Sequence, residues 1–197
     1  MLKHANSIVR SCFYQLKQLR SVRRTLTRDA TLTLVHAFVS SRVDYCNSVF
    51  AGSAETVVKK LQSVQNAAAR LIACKKRNDH ITPVLRDELH WLPVRERIHY
   101  KIALTVYRCL HGLAPAYLSQ YCIPVASLAG RQGLRSAAHG DLYLPPARTV
   151  RFGQRSFRSS GPSSWNSLPV DIRDPSLSLG QFKNRLKTRL FRVAYFI

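Results

Sequence analysis

The sequence predicts a mainly α-helical protein, and three observations in its 197 residues carry that expectation. Apolar side chains recur at three- and four-residue steps over long stretches, most clearly from residue 55 to 74, so that one stripe of each helix faces a core. Helix-start signals stand where such runs begin, at Thr27, Pro83, Pro93 and Ser178. Apolar residues make up 46% of the chain, close to the usual share of ~45–50%, which argues against wholesale disorder.

The first run, residues 2–19, sets Ile8, Cys12, Leu16 and Leu19 on one side and Lys3, Arg10, Lys17 and Arg20 around the rest, an amphipathic basic helix. Thr27 is placed to cap the second helix, with Asp29 in its first turn, where the helix dipole favours an acid. Leu32, Val35, His36 and Val39 mark its inner face, and it ends near residues 41–44. After Ala51-Gly52-Ser53, residues Val57, Leu61, Val64, Ala68, Leu71 and Ile72 form the clearest stripe, and Ala67-Ala68-Ala69 permits close packing. The link Lys75-Lys76-Arg77-Asn78 precedes two more helices, residues 84–89 and 94–110, with Gly112 ending the second and Pro115 opening a further turn. Beyond Cys122 the chain turns rich in Gly, Pro and Ser and loses helical periodicity until about residue 175. That irregular segment leaves room for short strands at residues 142–144 and 149–152. Ser178 and Gln181 form a capping box for a terminal amphipathic helix, with Leu179, Phe182, Leu186 and Leu190 on one face and Lys183, Arg185, Lys187 and Arg189 around the others. The expected organisation is residues 1–78, 79–122, 123–175 and 176–192.

The chain carries 31 Lys and Arg against 10 Asp and Glu, a formal charge of +21. So much unbalanced charge implies a partner that supplies the opposite sign, and nucleic acid is the simplest. No apolar run approaches the ~18 residues of a membrane span. The five cysteines contain no Cys-x-x-Cys pair and read as free thiols of a reducing, intracellular compartment. The acids are scattered. Their only adjacent pair, Asp87-Glu88 beside Arg86, reads as a solvated helix face and not as half of a two-metal centre. The histidines have no metal-binding or general-base spacing, and Gly-x-Ser-x-Gly, phosphate-cradling loops and His-Glu-x-x-His are all absent. No catalytic residue, metal or cofactor is assigned.

Charge itself is unevenly placed. Lys3, Arg10, Lys17, Arg20, Arg23, Arg24 and Arg28 precede the first acid, Asp29; Arg70, Lys75, Lys76 and Arg77 form a second cluster; Arg131, Arg135, Arg148, Arg151, Arg155 and Arg158 a third; the terminal helix a fourth. Arg outnumbers Lys, which suits forked contacts to phosphate. Lys17, Arg20, Arg23, Arg24, Arg28, Arg70, Lys75, Lys76 and Arg77 are the candidate backbone contacts. Phe152, Phe157 and Trp165, near basic residues, are placed either to stack on unpaired bases or to fill a core.

Several strings occur together in order: His36-Ala37-Phe38-Val39, Arg42-Val43-Asp44-Tyr45-Cys46-Asn47-Ser48, Leu61-Gln62-Ser63-Val64-Gln65-Asn66-Ala67-Ala68-Ala69-Arg70-Leu71, His80-Ile81-Thr82-Pro83-Val84-Leu85, Leu89-His90-Trp91-Leu92-Pro93-Val94-Arg95, Gly112-Leu113-Ala114-Pro115-Ala116-Tyr117-Leu118, Trp165-Asn166-Ser167-Leu168-Pro169 and Phe182-Lys183-Asn184-Arg185-Leu186-Lys187. The ordered set, over about residues 3–192, resembles the C-terminal part of reverse transcriptases from non-LTR retrotransposons of the jockey-like and chicken-repeat-like kind. The resemblance implies a thumb-like helical bundle and a post-thumb region, downstream of a polymerase palm. The palm's paired aspartates have no counterpart, since Asp-Asp occurs nowhere, and Asp44-Tyr45 is expected to pack or cap. The implied function is a non-catalytic fragment of an RNA-directed DNA polymerase that grips RNA, DNA or an RNA/DNA hybrid by its phosphates, with the palm or a second copy as a further partner. The alternative is an inert structural remnant of a truncated retroelement.

Overall fold

A computed structural model describes residues 1–146, 149 and 153–196, and these are predominantly helical. The chain packs as two compact units, Met1–Arg97 and Ile98–Ile197.

The first unit is built on helices α1 (Leu2–Val22), α2 (Arg28–Val35), α3 (Ser41–Asp44) and α4 (Glu55–Ile72). Near their starts α1 and α4 are joined by Lys60 Nζ donating to Asn6 Oδ1 at 2.9 Å, and at their ends by Arg23 reaching the Leu71 carbonyl, so the two run parallel. The α2–α3 rod returns between them, with the Cys12 thiol donating to the Val39 carbonyl at 3.9 Å and Arg42 bonded to Ser11. The result is an up-down-up bundle. Its buried face takes Cys12, Leu16 and Leu19 from α1 and all six stripe residues expected on α4. Ala5 and Ala69 are buried as well, and with Ala68 their small side chains let α1 and α4 lie close.

Thr27 caps α2 as expected, accepting from the Ala30 N–H at 3.2 Å. The inner face of the rod differs from the expected one. Thr31, Val35, Val39 and Val43 are buried, whereas His36 is exposed and Leu32 half-buried. Four-residue spacing drifts by about 40° per step in a regular α-helix. A π-helical turn over His36–Ser40 absorbs that drift. Thr31 escapes a hydropathy reading because its hydroxyl is satisfied internally, donating to the Thr27 carbonyl at 2.8 Å. Helix α4 also holds the next segment: Gln65 donates to the Leu92 carbonyl at 2.8 Å, and Gln62 accepts from the Val94 N–H at 2.9 Å. Residues 84–88 form a second π-helical turn. Asp44 accepts from Arg97 at 2.7 Å, while Tyr45 is exposed.

The second unit gathers α5 (Val94–Leu110), α6 (Ala116–Ser119), α7 (Arg135–Ala138), α8 (Phe157–Asn166) and α9 (Leu179–Tyr195), of which α5 begins in the first unit. Its core includes Val106 and Tyr107 of α5, Trp165 of α8, and Phe182 and Leu186 of α9. Phe182 is fully buried, stacked on Tyr107 at 4.4 Å and on Trp165 at 5.8 Å between ring centroids. The capping box of α9 forms as expected, with Ser178 N–H donating to Gln181 Oε1 at 2.9 Å and Gln181 N–H to Ser178 Oγ at 3.3 Å.

The expectation of an irregular segment from 123 to 175 is corrected at α8. Gly161 and Pro162 sit inside this helix and hide its period from a sequence reading. Gly161 is required there by close approach: a Cβ would stand 3.2 Å from the Phe157 ring and 3.3 Å from Val106 Cγ2. Of the short strands, residues 142–144 supply only an isolated antiparallel bridge between Pro124 and Leu142, and residues 150–152 lie outside the described residues. Asn166 fastens the bridge strand, since its amide donates to the Leu142 carbonyl and accepts from the Leu142 N–H, both at 2.8 Å. No helix among the described residues is long and apolar enough to cross a membrane.

Candidate nucleic-acid interface

On α1, burial of Cys12, Leu16 and Leu19 turns Phe13, Lys17 and Arg20 outward on a neighbouring face, and Arg24 follows in the 3₁₀ turn Arg23–Thr25. Because α1 and α4 run parallel, their C-terminal ends come together. Helix α4 closes with Cys74 in the left-handed conformation, φ +53°, and the Lys75 N–H donating back to the Arg70 carbonyl at 2.9 Å. That closure aims Lys75, Lys76 and Arg77 away from the helix end. Asp79 pins the loop by accepting from the Lys76 N–H at 2.7 Å.

An open cleft of about 900 Å³ lies between these two ends. Seven of the nine candidate residues line it: Arg20, Arg23, Arg24, Arg70, Lys75, Lys76 and Arg77. Phe13, Ser63, Ala67, Leu71 and Cys74 complete the lining. Lys17 is exposed outside it, and Arg28 pairs with Glu88 at 2.5 Å.

The seven fall into two kinds. Arg23 and Arg70 work inward. Arg23 donates from Nε to the Leu71 carbonyl at 2.9 Å, from Nη2 to the Ile72 carbonyl at 3.1 Å and from Nη1 to the Leu26 carbonyl at 2.9 Å. A guanidinium fork thereby satisfies carbonyls that the end of α4 leaves open, where the helix dipole also favours a cation. Arg70 donates to the Asp79 carbonyl at 3.2 Å, and its Nε is buried without a partner. Arg20, Arg24, Lys75, Lys76 and Arg77 are exposed and take no side-chain hydrogen bond or ion pair among the described residues. These five, with Lys17 nearby, are free to meet an anion.

Arg23→Ala is accordingly a stability variant: losing charge-assisted bonds of this kind should lower unfolding free energy by about 1.5–3 kcal/mol in a urea titration.

The other expected features have internal roles or lie elsewhere. Trp165 is buried, with Nε1 donating to the Gly140 carbonyl at 3.1 Å, and Phe157 packs against the second unit's core. Core packing therefore takes both aromatics, and Phe152 lies outside the described residues. Arg148 and Arg151 of the third basic cluster do too, while Arg131 lies over the Tyr143 ring at 5.5 Å. Asp87 pairs with Arg86 at 2.7 Å, which holds its carboxyl below the usual range. Arg173 is buried against Asp141. Among the described residues no group of three or more His, Cys, Asp and Glu could hold a metal ion. No expectation fell on Phe13, although it stands seven residues before Arg20 and so on the same helix face.

No family model matches this chain, and no curated protein or solved structure matches it either.

Proposed function

We propose that the first unit binds the phosphate backbone of nucleic acid in the cleft between the ends of α1 and α4, as the thumb-like part of an RNA-directed DNA polymerase. The chain's own contribution is grip and not chemistry, with RNA, DNA or an RNA/DNA template-primer as the ligand. One observation carries the reading: five exposed cations without a side-chain partner among the described residues converge on one open cleft. Each of the two helix ends contributes only about half a negative charge there, far too little to balance them. The resemblance of the ordered strings to non-LTR retrotransposon reverse transcriptases supports the polymerase context.

A second reading is favoured by Arg23, whose guanidinium is taken up by carbonyls at a helix end. On that reading the basic faces belong to an inert remnant. A salt titration separates the two. Neutralising five or six phosphates of a single strand gives a slope of log affinity against log salt between about −3.5 and −4.2. Fluorescence anisotropy of the full chain with a labelled single-stranded oligonucleotide should show that slope, and a flat response would leave only the remnant.

A further inference from the structure

The cleft is not lined by charge alone. Phe13 belongs to its lining with 42% of its surface exposed, and α4 contributes the short side chains of Ser63 and Ala67 to the same lining. Along α1 the order is Phe13, Lys17 and Arg20, with Arg24 following in the 3₁₀ turn, and Lys17 and Arg20 lie about 6 and 10.5 Å beyond Phe13 along the helix axis at ~1.5 Å per residue. An aromatic face at one end of a line of cations matches the two needs of a single strand: phosphates meet the cations and an unpaired base meets the ring. A duplex offers its phosphates but keeps its base faces stacked away from such a ring except at its ends.

We propose that Phe13 is a stacking platform for one unpaired base, so that the cleft takes single-stranded nucleic acid, or the unpaired stretch beside a duplex, in preference to continuous duplex. This inference rests on the reading that the cleft binds phosphate. Tyr14, also exposed but outside the cleft lining, provides the internal comparison.

The experiment titrates the full chain and its Phe13→Ala, Phe13→Leu, Phe13→Trp and Tyr14→Ala variants with three probes of equal length: an oligothymidylate, the same backbone with abasic residues, and a blunt duplex. Stacking on an aromatic is sequence-tolerant and its loss costs on the order of tenfold in affinity. Phe13→Ala and Phe13→Leu are therefore expected to weaken the oligothymidylate about tenfold and the abasic strand hardly at all. Phe13→Trp should retain binding and show indole quenching, and Tyr14→Ala should change nothing. Phe13→Leu preserves apolar bulk at this half-exposed position, so its loss of binding reports the ring face and not a folding defect. Equal losses on the based and abasic strands, or none on the based strand, would overturn the stacking role while leaving phosphate binding intact. Binding of the blunt duplex as tight as that of the oligothymidylate would overturn it too. Failure of the unmodified chain to bind any of the three probes would overturn both this inference and the reading beneath it.

Discussion

The triple variant Lys75→Gln, Lys76→Gln, Arg77→Gln is expected to bind a single-stranded oligonucleotide about 100-fold more weakly than the unmodified chain at about 0.1 M salt. Each phosphate contact on a single strand contributes about 0.7 to the salt slope, so removing three flattens it by about 2 and costs roughly 2 log units at that salt, taking 1 M as the common limit. All three residues are exposed and lie beyond the end of α4, and their side chains make no bond within the described residues, so the fold should be untouched. Lys187→Gln, Arg189→Gln, Arg192→Gln on α9 removes the same charge from outside the cleft. If the two triples weakened binding equally, net charge and not the cleft would be responsible.

The largest stability effect is expected at Phe182→Ala. This side chain is fully buried and touches both other aromatics of the second unit's core, Tyr107 and Trp165. Truncating a buried Phe removes its transfer free energy and leaves a cavity that neighbours only partly fill, a loss of about 3–5 kcal/mol. Amide hydrogen exchange should show that loss across α5, α8 and α9, which share the core. Phe196→Ala, at a position 95% exposed, should show none. A change below about 1 kcal/mol at Phe182 would contradict the packing described.

Those helices differ in how far their sequence disclosed them. The stripe on α4 and the capping box on α9 are local signals, and each acts where its spacing places it. Helix α8 was hidden because Gly161 and Pro162 both disfavour a helix locally, and contacts with Phe157 and Val106 override them. The π-helical turn over His36–Ser40 has no local mark beyond the strict four-residue spacing from Thr31 to Val43. At the cleft, both charge runs were visible as runs. Their meeting depends on α1 and α4 being parallel, which is a tertiary fact. Arg23 was indistinguishable in sequence from Arg24, yet it reaches a carbonyl 48 residues away while its neighbour faces solvent. Phe13 carries no mark of a ligand role in the sequence, since a single Phe on an amphipathic helix ordinarily joins the core. The spacing sets Cys12, Leu16 and Leu19 on the inner face, where they are buried, and Phe13 turns away from them.

The most direct test of nucleic-acid binding in the cleft uses the cysteines already present. Cys74 lines the cleft and is exposed, whereas Cys46 is exposed in the turn after α3, near the opposite end of the bundle. An 18-residue α4 separates those ends, about 27 Å at 1.5 Å per residue. The remaining three thiols are buried, and burial pushes Cys12 up to about 11 and Cys122 up to about 12, so alkylation near neutral pH should spare them. Iodoacetamide labelling of the full chain, read by mass spectrometry at each cysteine, should mark Cys46 and Cys74 in the free protein. A saturating single-stranded oligonucleotide should then shield Cys74 and leave Cys46 unchanged. Bound oligonucleotide with Cys74 still labelled at its free rate would contradict the account.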